Sequence, residues 1–183
     1  MSDSVRAVTA DELEHFPDDD CRYELVEGRL RRMSPVGGQH GDVVVRLVSL
    51  LHGHVRSRRL GKVFTEVGFK LASSPDTVRA PDVAFVQRSR MPSPLPRGFL
   101  SGSPDVAIEV ISPDDRLSEV QAKVDDYLAH GVVLVLVLDP DEKTATVFRR
   151  LMPPVTVGDP DTLLDLTDVI PEFCVTLRDL FDS

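Results

Sequence analysis

The sequence predicts a mixed α/β (α+β) fold, with a mixed β-sheet flanked by helices and preceded by an N-terminal β-hairpin. Two observations predict this fold. Short segments with strand-like patterns alternate with two longer amphipathic helical patterns. The segment VVLVLVLD, 132–139, is apolar on both faces, which is typical of an interior strand. The length of 183 residues suits one domain over 1–183, with a core at about 20–149 and a C-terminal extension at 150–183.

The first half of the chain predicts a hairpin, a helix and a strand. Residues 23–33, YELVEGRLRRM, have the pattern of two short strands around a Glu-Gly turn. From His40 to about Arg59, apolar residues recur at the i, i+3, i+4, i+7 spacing of an amphipathic helix. Residues 65–71 alternate between apolar and polar side chains, which predicts a half-buried strand.

The second half predicts a second helix among further strands. Ser118 and Gln121 have the spacing of a capping box at the start of this helix, and Gly131 is expected to end it. The 144–149 segment is predicted to be the last strand of the main sheet. The predicted strands of this half are 82–86, 105–111, 132–139 and 144–149, and the predicted loops are 87–104 and 150–162.

Composition and charge exclude several classes of protein. Hydrophobic residues make up 42% of the chain and charged residues 28%, so wholesale disorder is not expected. No apolar run approaches the roughly 20 residues that cross a bilayer, so we expect no membrane association. The N-terminus lacks the apolar core of a signal peptide. Because Cys21 and Cys174 lie far apart and outside any metal-ligand spacing, we interpret them as reduced thiols of a cytoplasmic protein.

The net charge limits the ways in which the chain can bind nucleic acid. The 21 basic and 30 acidic residues give a net charge of −9. Proteins that coat nucleic acid through nonspecific phosphate contacts are usually basic. An enzyme that contacts phosphate at one site remains compatible with this charge, because a carboxylate cluster that holds a metal ion itself adds negative charge.

Glu109 stands in the middle of an otherwise apolar strand. On a strand it shares one face with Asp105 and Ala107. An ionised carboxylate inside a sheet is costly unless a cation or several donors compensate its charge. Two interpretations follow from the residues: this face is solvated or pairs with an arginine, or Glu109 is a functional acid.

Asp82 follows Pro81 at the start of the preceding strand. Pro-Asp is ordinary turn chemistry, and we interpret Asp105 after Pro104 as such a turn residue. Asp82 differs because the neighbouring strand ends in Glu109. Two carboxylates about one strand spacing apart, near 5 Å, can share a divalent cation through hard oxygen ligands.

Three further charged residues have both a functional and a surface interpretation. Lys123 borders the apolar stripe of the second helix and can lean over the sheet, but it can also form an i, i+4 surface pair with Glu119. Glu24 is either a functional acid or a solvent-facing strand residue. His40 is either a site residue, a helix cap or an exposed residue. The sequence contains no Gly-rich phosphate loop, Ser-His-Asp signature or zinc-type cluster, which narrows the chemistry to carboxylates, a metal ion and a lysine.

The chain resembles the Uma-two (Uma family) group of proposed endonucleases, of the PD-(D/E)XK, restriction-endonuclease-like superfamily. The shared motifs, in order, are RYELVEGRLRRMSP, a histidine before a helix, RAPDVAFV, PDVAIEVISP, K-x3-Y-x3-GV and LDP. The resemblance covers about 20–149 and, more loosely, the closing LTDVIPEFCVTLRDLF. It implies a restriction-endonuclease-like core, hydrolysis of DNA (or RNA) phosphodiester bonds with Mg²⁺ or Mn²⁺, and a homodimer.

The resemblance also implies a set of metal ligands. Asp82 matches the PD element and Glu109 matches the acid of the (D/E)XK element, so both would be ligands. The residue between the acid and the lysine position is Val110, which would supply its backbone carbonyl. Glu24 matches the early YEL glutamate and could complete the acidic cluster.

The chain departs from the motif at the position of the usual base. Ile111 occupies the lysine place of (D/E)XK. The resemblance makes Lys123, on the second helix, the substitute that orients the attacking water or stabilises the phosphate. Glu119 stands where an aspartate is often found, and His40 matches a recurrent histidine to which the resemblance gives no role.

Two other hypotheses stand beside the nuclease. The first is a catalytically inactive nuclease fold kept for nucleic-acid binding or protein assembly, which the acidic charge and the displaced lysine favour. The second is an interaction module without nucleic-acid contact. Basic clusters at 29–32, 56–62 and 88–97 argue against this second alternative, although each can be an ordinary solvated surface.

Overall fold

Two β-sheets form the body of the protein in a computed structural model that describes residues 6–16 and 21–182. Strands are numbered along the chain. The first sheet has the order β2 (Arg29–Met33), β1 (Arg22–Val26), β5 (Thr77–Arg79), β4 (Phe69–Ala72), β7 (Leu100–Ser101). The second sheet has the order β11 (Val155–Val157), β10 (Thr144–Arg149), β9 (Leu134–Asp139), β8 (Val106–Val110), β6 (Val83–Gln87), β3 (Gly61–Phe64).

Helices and a small third sheet complete the described fold. The helices are α1 (Ala10–Glu14), α2 (Gly38–Arg58), α3 (Leu117–Ala129) and α4 (Leu177–Phe181), with a 3₁₀ turn at Arg88–Arg90. The third sheet pairs β12 (Leu163–Asp165) with β13 (Cys174–Thr176). Both main sheets are mixed, because β4–β7 and β8–β9 are parallel pairs and the others are antiparallel. The predicted mixed α/β class is confirmed.

The N-terminal hairpin forms as its sequence predicts. Its register runs from the Arg22–Met33 pair to the Val26–Arg29 pair. The two turn residues both have left-handed backbone conformations, with φ of 48° at Glu27 and 75° at Gly28. Two-residue hairpin turns favour this conformation because it matches the twist of the strands.

Several predicted elements differ from the structure. Residues 65–71 are not one strand: the chain bends after β3, and β4 begins only at Phe69. The short strands β3 and β5 were not predicted. The capping box at Ser118 is wrong, because the N-cap of α3 is Arg116, two residues earlier, and it has no side-chain cap hydrogen bond. Residues 144–149 are not the last strand of the main sheet, because β11 pairs with them.

Helices cover both faces of the second sheet. On one face, α2 buries Val43, Leu47, Leu51 and Val55 against β6, β8 and β9, together with apolar residues from 164–180. On the other face, α3 buries Val124 and Tyr127 against Ala107 and the β9 side chains Val135 and Val137. None of the described helices is long and apolar enough to cross a membrane.

The two main sheets are joined directly at one link. Strand β5 of the first sheet ends at Arg79, and β6 of the second begins at Val83. The link is therefore 80–82, and its last residue is Asp82. This topology brings the hairpin, strands β6 and β8 of the second sheet, and α3 to one junction.

Candidate active site

Asp82 and Glu109 lie opposite each other at the junction of the sheets. The antiparallel register of β6 and β8 pairs Val83 with Ile108. Continuing this register by one residue places Asp82 opposite Glu109, and directly opposed residues of an antiparallel pair point to the same side. The Asp82 carboxylate also accepts a hydrogen bond of 2.7 Å from the backbone N–H of Val110. The two acids are therefore neighbours on one side of the sheet.

Glu109 is tolerated in its apolar strand because both carboxylate oxygens accept hydrogen bonds. Its Oε2 accepts from the Lys123 ammonium at 2.7 Å, and its Oε1 accepts from the Tyr127 hydroxyl at 2.7 Å. The residue is only 5% exposed. Burial raises the pKa of Glu109 to about 7 against the opposing effect of Lys123, and the negative charges of Asp82 and Glu24 raise this pKa as well.

Lys123 leans over the sheet instead of pairing with Glu119 on the surface. Its side chain is 18% exposed and forms an ion pair with Glu109, whereas Glu119 is exposed. Burial by itself lowers the pKa of Lys123, but the nearby negative charges, with Glu109 first, raise it by more. Lys123 is therefore a fixed cation beside the two acids, suited to stabilising negative charge and not to acting as a base.

His40 connects Asp82 to the loop that follows β8. The alternatives of a helix cap and of an exposed residue are both wrong, because His40 lies within α2 and is 5% exposed. Its Nε2 is 3.3 Å from an Asp82 oxygen, and its Nδ1 is 3.1 Å from the Ser112 hydroxyl. Burial alone lowers the pKa of His40, but the hydrogen bond and charge of Asp82, together with the charges of Asp115 and Glu109, raise it by more.

Glu24 is held by a buried arginine. The alternative of a solvent-facing residue is wrong, because Glu24 is 1% exposed. One Glu24 oxygen accepts from Arg79 Nη1 at 2.6 Å, and the other accepts from the backbone N–H of Ala80 at 2.9 Å. Arg79 also donates from Nε and Nη2 to Asp126 on α3, at 2.9 and 2.5 Å. We call Glu24, Arg79 and Asp126 the Arg79 clamp.

The clamp joins three parts of the junction. Glu24 belongs to the hairpin, its bond to Ala80 fixes the link that carries Asp82, and Asp126 belongs to the helix that carries Lys123. Asp126 lies three residues after Lys123 on α3, so the two occupy the same side of the helix. The clamp therefore sets how the strand with the acid and the helix with the lysine stand relative to each other.

Sequence reasoning missed the roles of Arg79, Asp126, Ser112 and Tyr127. In the structure, Arg79, Ser112 and Tyr127 each contact a candidate site residue, and Asp126 contacts Arg79. A signal existed for two of them. Arg79 precedes the PD element in RAPD, and Tyr127 is the tyrosine of K-x3-Y.

The acids form a site of two carboxylates. Within 6–16 and 21–182, no group of three or more His, Cys, Asp or Glu side chains is arranged to hold a metal ion. Glu24 faces Arg79 instead of completing a three-acid group. Asp82 and Glu109 still fit Mg²⁺, which is usually bound by one or two carboxylates together with water and substrate phosphates. Burial is the main cause of the raised pKa of Glu109, and the negative charge of Asp82 raises it further. A bound cation would offset both effects.

A helix-flanked mixed sheet that places an acid from each of two adjacent strand ends beside a partly buried lysine is the architecture of restriction-endonuclease-like nucleases. The chain belongs to the Uma2 family, described as putative restriction endonuclease, whose match covers residues 10–178. It is similar to the crystal structure of a putative nuclease belonging to DUF820 from Anabaena variabilis. The two chains are 26% identical with a TM-score of 0.85, over 95% of this chain and 97% of that one. No curated protein matches the chain.

Proposed function

We propose that this protein is a metal-dependent endonuclease that hydrolyses phosphodiester bonds of DNA. Its cofactor in this proposal is Mg²⁺, which Mn²⁺ can replace. The family and the fold support a nuclease function. The observation that carries the finer proposal is the placement of Asp82 opposite Glu109, with the Lys123 ammonium 2.7 Å from Glu109. As the resemblance implies, the active form in this proposal is a homodimer.

Asp82 and Glu109 would hold the cation in this proposal, together with the backbone carbonyl of Val110. When bound, the cation would stabilise the negative charge that develops on the phosphate. The Val110 backbone already takes part in the site, since its N–H donates to Asp82. Two carboxylates give a hard oxygen ligand set, which suits Mg²⁺.

The other side chains of the site would orient and position these groups. Lys123 would hold the attacking water or a phosphate oxygen, because its ammonium is fixed and already adjacent to Glu109. Tyr127 orients Glu109, and His40 orients Asp82. Glu24 acts through Arg79 as a positioning residue, and Glu119, exposed on α3, is at most accessory.

A cleavage assay on plasmid, linear duplex, single-stranded DNA and RNA tests this proposal, with Mg²⁺, Mn²⁺ or EDTA. We expect Asp82→Ala and Glu109→Ala each to lower the cleavage rate about 100-fold or more. The matched control is Asp168→Ala, which removes an acid that is paired with Arg149 on the surface. Activity that survives in both Asp82→Ala and Glu109→Ala would refute the site.

One observation favours an inactive nuclease fold that binds nucleic acid or a protein partner. The oxygens of Asp82 and Glu109 already contact protein donors, and the described residues contain no three-acid group. Isothermal titration with Mn²⁺ separates the two functions. Binding to the wild type that disappears in Glu109→Ala supports the nuclease, whereas no binding at millimolar Mn²⁺ supports the inactive fold.

A further inference from the structure

Three arginines share the face of the first sheet that carries Glu24. The hairpin register places Arg31 opposite Glu24 and Arg29 opposite Val26. Opposed residues point to the same face, and so do residues two apart on one strand. Arg22, two residues before Glu24 on β1, therefore shares this face with Arg31 and Arg29. We call these three residues the arginine strip.

The face of the arginine strip is directed toward the candidate site. Glu24, on this face, is joined through Arg79 to α3, the helix that carries Lys123. The strip begins near Asp82, because Arg22, Glu66 and Asp82 line the same cleft.

Two of the three charges are not neutralised within the described part of the protein. Arg29 and Arg31 are exposed, and neither forms an ion pair with another residue among 6–16 and 21–182. Arg22 is half exposed and pairs with Glu66. With a net charge of −9 and two acids at the site, the protein repels a polyanion unless cations line its approach. The strip supplies cations on that face.

We propose that the arginine strip binds backbone phosphates of the nucleic acid that is cut at Asp82 and Glu109. This inference rests on the proposed function for the position of the cut and extends it to the path of the substrate. Arg29 and Arg31 are two strand residues apart, about 6.6 Å along the backbone, and guanidinium groups bind phosphate through two parallel hydrogen bonds. Because such contacts reach only the backbone, they make binding independent of base sequence.

The same strand contains a matched control. Arg32 is exposed like Arg31, but it lies opposite Tyr23, on the other face of the sheet. That face carries Leu25 and Leu30, which pack with α1. Arg31→Gln and Arg32→Gln therefore remove the same charge from adjacent residues that face opposite directions.

Fluorescence anisotropy with a labelled 25-base-pair DNA duplex, in EDTA so that no cleavage occurs, tests the inference between 50 and 200 mM salt. We expect Arg31→Gln and Arg29→Gln each to weaken binding about three- to tenfold. Each should also lower the slope of log K against log salt by about 0.9, the effect of one lost phosphate contact. Arg32→Gln should leave the affinity within about twofold of the wild type and the slope unchanged.

The outcomes separate this inference from the proposed function. Equal losses in Arg31→Gln and Arg32→Gln, or no binding by the wild type at 50 mM salt, overturn the strip. If wild-type binding depends on the strip but no cleavage occurs in Mg²⁺ or Mn²⁺, the proposed nuclease function is wrong and phosphate binding by the strip stands. If the Arg29→Gln, Arg31→Gln double variant cleaves with an unchanged KM, phosphate binding by the strip is wrong and the proposed nuclease function stands. Melting temperatures within about 2 °C of the wild type verify that each variant is folded.

Discussion

Replacing Arg79 with methionine removes the cation that Glu24 and Asp126 share. The Arg79 side chain is 7% exposed and that of Glu24 1%. Among the described residues, the variant therefore leaves buried Glu24 with the Ala80 N–H as its one donor. Asp126, at 27% exposure, can turn to water. Removing one partner of a buried ion pair costs about 3–5 kcal/mol. We therefore expect the free energy of unfolding to fall by about 3–5 kcal/mol, and the melting temperature by roughly 6–20 °C.

Urea unfolding followed by circular dichroism measures this loss. The control is Arg149→Met, because Arg149 also donates from Nε and Nη2 to one acid, Asp168, but at 25% and 46% exposure. A surface pair of this kind contributes about 0–1 kcal/mol. Glu24→Gln added to Arg79→Met should recover part of the loss, since it removes the unpaired charge. If Arg79→Met costs no more than Arg149→Met, the clamp does not hold the junction together.

Three other predictions concern the residues around Glu109. Tyr127→Phe should lower the free energy of unfolding by about 1.5–3 kcal/mol, the value of a hydrogen bond to a charged group, in thermal or urea unfolding. Burial and the charge of Glu109 raise the pKa of Tyr127 well above 10.0. The stability that Tyr127 contributes should therefore be complete below pH about 10 and fall at higher pH. In Tyr23→Phe, which leaves Tyr127 as the one tyrosine of the chain, absorbance at 295 nm should show no phenolate until the protein unfolds. Lys123→Met should lower the cleavage rate about 100-fold, whereas Lys143→Met, which removes an exposed partner of Asp182, should not.

The sequence predicted those helices and strands that short-range patterns of neighbouring residues determine. The hairpin follows from a two-residue turn between β-prone segments, and α2 follows from its apolar periodicity. The short strands β3 and β5 carry too few residues for a pattern to emerge. The division into two sheets depends on how the chain turns at 65–68 and 80–82, which is decided by packing between segments distant in sequence.

The same distinction explains the candidate site. The opposition of Asp82 and Glu109 followed from predicting two adjacent strands. The sequence spacing suggested Glu119 as the partner of Lys123. The tertiary packing of α3 on the sheet is needed to show that the partner is Glu109. The buried carboxylate of Glu24 is paired with an arginine 55 residues away in sequence, and no local pattern reveals such a partner.

Anomalous diffraction from a crystal soaked in Mn²⁺ tests most directly whether two opposed acids form a cation site. We expect one strong anomalous peak within ligand distance of both the Asp82 and Glu109 carboxylates. The peak should disappear in Glu109→Ala. Crystals in saturating Mn²⁺ that show no peak there, with Asp82 still bonded to Val110 and Glu109 to Lys123 and Tyr127, would contradict the metal-dependent nuclease.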